Sequence, residues 1–175
     1  MHQDRHGIVQ VYTGDGKGKT TAALGLAVRA AGAGLRVFFG QFCKGQPTSE
    51  HVALERFADL ITVRHCGGRG FITGEPSEED RAAADEMLRA VREAMLSGDY
   101  DIVVADELNV AVNLGLVKLT EVLDLLDDRP LPVELVLTGR NAHPAVRKRA
   151  ELVTEMRAIK HPYDQGLPAR KGIDY

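Results

Sequence analysis

The sequence predicts an α/β fold: a mostly parallel sheet with helices on both faces. Three observations carry this. Short runs rich in β-branched and aromatic residues alternate along the chain with Ala- and Leu-rich helical segments, a pattern that implies parallel pairing through right-handed crossovers. Several of these strand segments are almost wholly apolar, as strands covered on both faces must be. Glycine stands where the first strand ends and where the first helix stops.

In order, "GIVQVYT" (7–13) reads as a strand ending at glycine, and "KTTAALGLAVRAAGAG" (19–34) as a helix closed by Gly32 and Gly34. A strand at 35–42, a short helix at 50–57 and a third strand at 59–66 come next, then a loop through "GGRGFITGEP". Ser77 and Asp80 have capping-box spacing ahead of an amphipathic helix reaching Leu96. "YDIVVADE" (100–107) is a strand meeting two acids at its C-terminal end; "KLTEVLDLLDDRP" is a helix and "PVELVLTG" (132–139) a strand. "HPAVRKRAEL" opens the last helix with Pro144 early, where proline is tolerated, and "VTEMRAIKH" is the final strand before an extended tail of about 161–175.

A chain of 175 residues, 44% apolar, suffices for one buried core, so a single domain over 1–175 is expected. With 22 Lys and Arg against 25 Asp and Glu, the net charge of −3 gives no general electrostatic reason to expect nucleic acid or an anionic membrane as partner. No apolar stretch has the length of a membrane span and the opening "MHQDRH" is polar, which points to the cytoplasm. Cys43 and Cys66 are too few for a disulfide framework and lack zinc spacing; they read as ordinary thiols of a reducing compartment.

The chemistry concentrates in "VYTGDGKGKTTAALG" (11–25), which has the parts of a P-loop: a buried strand, glycines, then Gly18, Lys19 and Thr20 entering a helix. Gly14, Gly16 and Gly18 permit positive φ and clear the ligand's path, so that successive N–H groups converge on phosphate oxygens at a helix N-terminus. Lys19 would sit on the phosphates and the Thr20 hydroxyl on Mg²⁺. The usual pattern G-x-x-x-x-G-K-[ST] places glycine where this chain has Thr13. Thr21 is either a second ligand-facing hydroxyl or a plain first-turn residue. Asp15 and Lys17 either line the loop or are solvated, Lys17 being the better candidate because it adds charge beside a polyphosphate. Asp106 and Glu107, leaving a buried strand at its C-terminal end, lie where open α/β sheets bind ligands. Asp106 reads either as a metal ligand or as a helix N-cap. Together these give a P-loop NTPase-like α/β domain binding a nucleotide, with the reaction left open.

Five segments narrow the choice: "GDGKGKTTAALGLAVRA", "QFCKG", "YDIVVADELNVAVNLGLV", "LTGRNAHP" and "VTEMRAIKHPYDQGLPARKGIDY". Over about Gly7 to Tyr175 the chain closely resembles the P-loop ATP:corrinoid adenosyltransferases, and the doubled basic loop is far more specific than a generic phosphate loop. The resemblance implies that a cobalt(I) corrinoid, cob(I)alamin or a cob(I)yrinic acid diamide, attacks the 5′ carbon of ATP and expels triphosphate. It also implies Mg²⁺, a homodimer and a flavoprotein reductant. Such a displacement needs no protein general base, and no Ser-His-Asp or Cys-His constellation is evident. The alternatives are a P-loop small-molecule kinase or ATPase, and a nucleotide-dependent binding protein without turnover.

The resemblance also assigns single residues. Arg29 matches an arginine of the family's first helix that reaches the nucleotide, against a plain surface role. Glu107 belongs to the family's D-E pair and would contact ribose or metal. Gln41, Lys44, Arg140 and Asn141 follow strand ends and could meet the ligands, while His143 reads as a helix-start residue. Phe71 matches a segment that packs under the corrinoid, against an ordinary core role; the family's tryptophan is Thr73 here, so Ile72 or Leu114 would substitute. Relatives often carry a longer leader, whereas six residues precede Gly7, implying a different closure or a dispensable leader.

Overall fold

The computed structural model describes residues 6–43, 48–66 and 74–174, without the side chains of 163 and 164. The described strands form one parallel sheet in the order β3-β2-β4-β5-β1-β6. The strands are β1 Val9–Thr13, β2 Val37–Gln41, β3 Ile61–His65, β4 Ile102–Asp106, β5 Glu134–Thr138 and β6 Leu152–Glu155. The helices are α1 Lys19–Gly32, α2 Ser49–Leu54, α3 Glu78–Leu96, α4 Leu108–Asn113, α5 Leu119–Asp127 and α6 Pro144–Arg149.

Side chains alternate across the sheet and feed two cores. Val37, Phe39, Ile102, Val104 and Val136 pack against the alanines of α1 and against Leu54 of α2. Val9, Val11, Phe38, Val103, Leu135 and Leu137 pack against α3 to α6 on the other face. Helices therefore cover both faces, as the apolar strands require. α1 lies close to the sheet because Ala23 and Ala27, at 0% exposure, present only methyl groups. The predicted capping box of α3 is present: Asp80 N donates to Ser77 Oγ at 3.1 Å and Ser77 N to Asp80 Oδ2 at 2.9 Å.

Three differences from the sequence expectation bear on the site. β6 stops at Glu155, well short of the 153–161 run, because the chain turns at Met156 toward the loop after β1. α4 comes directly after β4; its "NVAVN" pattern resembles a strand, and its N-terminus carries no side-chain cap. The expected extended tail contains a 3₁₀ turn at Pro162–Gln165 and a further turn at 170–174.

At Gly40, inside β2, an added Cβ would stand 3.0 Å from Met87 Sδ and 3.1 Å from Val91 Cγ2 of α3. Gly40→Val should therefore lower the unfolding free energy by about 1–3 kcal/mol through overpacking. Urea denaturation checks this, and an unchanged midpoint would contradict so close a contact between α3 and β2.

Candidate functional site

Parallel strands end together, and here the C-terminal ends of β1, β5, β4 and β2 lie side by side. β5 runs between β1 and β4, pairing Tyr12 with Thr138 and Leu137 with Ala105. On the far side of β4, Gln41 is in register with Asp106. This edge is where open α/β sheets place ligands. A cleft of about 790 Å³ opens there, lined by residues 15–21 of the loop and α1, by Leu24, by Ser49, Glu50 and Ala53 of α2, and by Cys43, Glu107, Val110 and Arg140. Its remaining wall comes from the C-terminal segment: His161, Gly172, Ile173 and Asp174.

The loop between β1 and α1 is shaped by close backbone approach. Gly14 (φ 96°) has so little room that a Cβ would fall 2.4 Å from the Met156 carbonyl oxygen, and at Gly16 one would fall 2.8 Å from it. Gly16 N donates to Met156 O at 2.7 Å, and Met156 N to Thr13 O at 2.8 Å. Gly18, at φ 115°, then turns the chain into α1. Thr13, where the usual motif has glycine, is buried, and its hydroxyl accepts from Ala142 N at 3.1 Å, fastening the loop to the β5–α6 connection.

Lys19 is 7% exposed and its Nζ donates to Gly14 O at 2.8 Å and Gly16 O at 2.7 Å. Burial pushes its pKa down, opposed in part by the Glu107 carboxylate. Lys17 is half exposed and reaches the C-terminal turn, with Nζ 2.9 Å from both Asp174 Oδ1 and Ile173 O. Asp15 and Thr21 are exposed on the cleft wall, while Gly14 lies beneath it and contributes its carbonyl to Lys19.

Asp106 is at 0% exposure and gathers donors from three elements. Thr20 Oγ1 of α1 donates to Oδ1 at 2.9 Å, Thr138 Oγ1 of β5 to Oδ1 at 2.7 Å, and Gln41 Nε2 of β2 to Oδ2 at 3.1 Å. Asp106 is thus not the N-cap of α4, and it lies beneath the residues that line the cleft. The N-cap position of α4 belongs to Glu107, whose left-handed backbone (φ 61°) holds the acid that does line the cleft. Thr138 Oγ1 also accepts from Glu107 N at 2.9 Å.

Gln41, which by its place at a strand end could meet a ligand, is buried beneath the cleft, bonded to Asp106 and to the His51 ring. Arg29 is not brought to the cleft. It is exposed in the last turn of α1, ten residues beyond Lys19 and so roughly 15 Å along the axis. Arg140 lines the cleft, and the Asn113 amide pins its carbonyl at 3.0 Å. His143 caps α6, accepting from Ala145 N at 3.1 Å. Leu114 packs against the core face that holds α3 to α6. Lys44, Phe71, Ile72 and Thr73 lie outside the described residues. Thr138, Met156 and Asp174 carried no signal as single residues; the terminal "KGIDY" was the one hint toward the last.

Among the described residues no group of three or more His, Cys, Asp and Glu gathers as a metal centre. The oxygen donors Thr20 and Glu107 on the cleft wall fit a hard cation that keeps water and phosphate as its other ligands, the usual manner of Mg²⁺. Among the same residues no helix is long and apolar enough to cross a membrane.

A P-loop on an all-parallel sheet, with a carboxylate at the end of a non-adjacent strand bonded to the first-turn threonine, defines a P-loop-type α/β protein. The fold recurs in the flagellar accessory protein FlaH of Methanocaldococcus jannaschii, with a TM-score of 0.60 at 13% identity, covering 86% of this chain and 71% of that one. The model of the family described as ATP:corrinoid adenosyltransferase BtuR/CobO/CobP matches residues 5–175. The corrinoid adenosyltransferase of Escherichia coli K12 is 38% identical over 99% of this chain and 88% of its own length. That of Pseudomonas aeruginosa is 36% identical over 99% and 86%, and the corrinoid adenosyltransferase CobA of Salmonella typhimurium 38% over 99% and 88%. The chain belongs to the ATP:corrinoid adenosyltransferase family.

The geometry sets two expected outcomes. Thr138→Val removes one donor to Asp106 and the acceptor of Glu107 N–H, so it should cost about 1–3 kcal/mol, with Thr138→Ser close to wild type in the same denaturation experiment. Burial pushes the Cys43 thiol up to about 12 and the Cys66 thiol up to about 11. Folded pKa values above the unfolded value of about 8.5 mean that the neutral thiols favour the folded state below that pH. That contribution is lost as pH rises toward 11 and 12. Replacing both cysteines by alanine should therefore flatten the decline of stability between pH 8.5 and 11 (roughly the span between unfolded and folded values), measured by urea midpoints at each pH. An unaltered slope would show the thiols to be solvated.

Proposed function

We propose that this protein transfers the 5′-deoxyadenosyl group of ATP to a cobalt(I) corrinoid, cob(I)alamin or a cob(I)yrinic acid diamide, and releases triphosphate. The observation that carries the reading is the match of the family over residues 5–175, with the P-loop, Lys19, Thr20 and Glu107 facing one cleft. In the reaction the cobalt electron pair forms a Co–C bond to C5′, the C5′–O bond breaks, and the electron pair of that broken bond leaves with the triphosphate. No proton need be moved by the protein.

The residues would then do two things: hold ATP so that C5′ faces the corrinoid, and stabilise charge gathering on the leaving triphosphate. The N–H groups of the Gly14–Thr21 turn and the N-terminus of α1 favour an anion at this place. Lys19 would exchange its two loop carbonyls for charge-assisted bonds to phosphate, and its depressed pKa would recover beside an anion. Mg²⁺, when bound, would supply further charge neutralisation through Thr20 and Glu107. Asp106 acts from beneath, fixing the Thr20 hydroxyl. Arg140 lines the same wall and would add positive charge. The reading extends to a homodimer in the cytoplasm, supplied with reduced corrinoid by a flavoprotein.

Anaerobic incubation with chemically reduced cobalamin and MgATP should give a light-sensitive Co–C product and one equivalent of triphosphate. Stoichiometric ADP and phosphate would instead indicate a kinase or ATPase. Lys19→Ala should lower the rate at least about a hundredfold, the scale for removing one electrostatic stabiliser of a leaving charge; unchanged turnover would overturn the role of the loop.

A further inference from the structure

The two lysines of the loop differ in a way that the phosphate site alone does not explain. Lys19 is buried and bonded within its own loop, whereas Lys17 is bonded to residues at the opposite end of the chain. That end is a closed turn. Asp174 N donates to Arg170 O at 2.8 Å and Ile173 N to the same carbonyl at 3.2 Å. In return Arg170 N and Nε donate to Asp174 Oδ2 at 2.9 and 3.2 Å. The two oxygens of the carboxylate are thereby divided, Oδ2 holding Arg170 and Oδ1 holding Lys17. Gly172, Ile173 and Asp174 also line the cleft alongside the loop.

We propose that Asp174 is a positioning residue for the polyphosphate: it fixes the Lys17 ammonium at the outer rim of the loop, and the 170–174 turn is a wall of the same site. An ammonium has three N–H donors. Asp174 Oδ1 and Ile173 O take two of them, which orients the third and removes the freedom of a long, otherwise solvated stem. The anion does not cancel the attraction for phosphate, because Lys17 and Arg170 together outweigh it by one positive charge. Lys17 also favours the ionised carboxyl, holding its pKa well below the usual carboxylate range. The contact therefore persists across the working pH of any such site.

The inference rests on the reading that the loop binds a polyphosphate, and the experiment separates the two. Calorimetric titration with inorganic triphosphate and with MgATP compares wild type, Asp174→Asn, Asp174→Glu, Lys17→Gln and the Lys17→Gln/Asp174→Asn pair. Steady-state assays on the same proteins read KM for ATP against kcat. Asp174→Asn should weaken triphosphate binding about 5- to 10-fold, the scale of freeing one ordered side chain. It should raise KM for ATP by a similar factor with kcat little changed, and Asp174→Glu should recover most of the loss. The double variant should bind no more weakly than Lys17→Gln alone, a coupling that a merely structural tail would not produce. Equal or tighter binding by Asp174→Asn, or additive losses in the double variant, would overturn the proposal. A wild-type protein that binds no triphosphate would remove the reading of the loop, and this inference with it.

Discussion

A carboxylate with no exposure to solvent must have its oxygens satisfied from within the protein, and the way Asp106 meets that requirement organises the whole sheet edge. Its donors come from α1, β5 and β2. One side chain thereby ties the seat of the first helix to the register of three adjacent parallel strands. The intervening position of β5 is what makes this possible. It separates β1 from β4 by the width of one strand, and Thr138 fills the gap, donating to Asp106 and accepting from the Glu107 N–H at the end of β4. If β1 and β4 were neighbours, nothing would stand between Thr20 and the acid, and the Glu107 N–H would need another partner.

The loop that lines the cleft is equally dependent on distant chain. Gly14 and Gly16 are small because the Met156 backbone occupies the space where their Cβ atoms would be, and Thr13 just before them is fastened by Ala142 N–H. The P-loop conformation thus exists only once the C-terminal third of the sequence has added β5 and β6 to the sheet. A ligand that holds this loop must draw stability from, and lend it to, contacts over a hundred residues apart. The short length of β6 has the same cause. Continuing the strand past Glu155 would carry Met156 along the sheet and away from the glycines it supports.

This division explains why some elements were legible in the sequence and others were not. Strands 37–41, 102–106 and 134–138 were legible because burial on both faces leaves a mostly apolar run, strand 9–13 because a short run of β-branched and aromatic residues ends at a glycine, and the loop because its glycines, Lys19 and Thr20 are consecutive residues of fixed type. α4 was not legible: in "LNVAVN" the two valines alternate with Asn and Ala as in a strand, six residues are too few to show a helical period, and the helix packs against the end of β5, where a Cβ on Gly139 would come within 3.0 Å of Asn109 Cβ and Val110 N. The depth of Asp106 was hidden for a similar reason. Two successive acids at a strand end look equivalent in sequence, and only the alternation of side chains along the strand, together with the turn at Glu107, sends one inward and the other to the cleft. Arg29 shows the converse, since likeness to a family motif gives a residue its type while the helix rise fixes how far it stands from Lys19.

The backbone at these strand ends has one further regularity. Cys43, Glu107 and Asn141 have positive φ of 56°, 61° and 54°, and each stands just past the C-terminal end of β2, β4 or β5. Left-handed backbone costs a residue with a Cβ about 1–2 kcal/mol, and glycine would avoid the cost. At Glu107 glycine would make the turn and keep the N–H bond to Thr138, but it would lose the side chain that lines the cleft. Packing of α4 directly after the turn leaves no extra residue over which the two tasks could be divided. The strain at position 107 therefore goes with a single residue that both reverses the chain and lines the cleft.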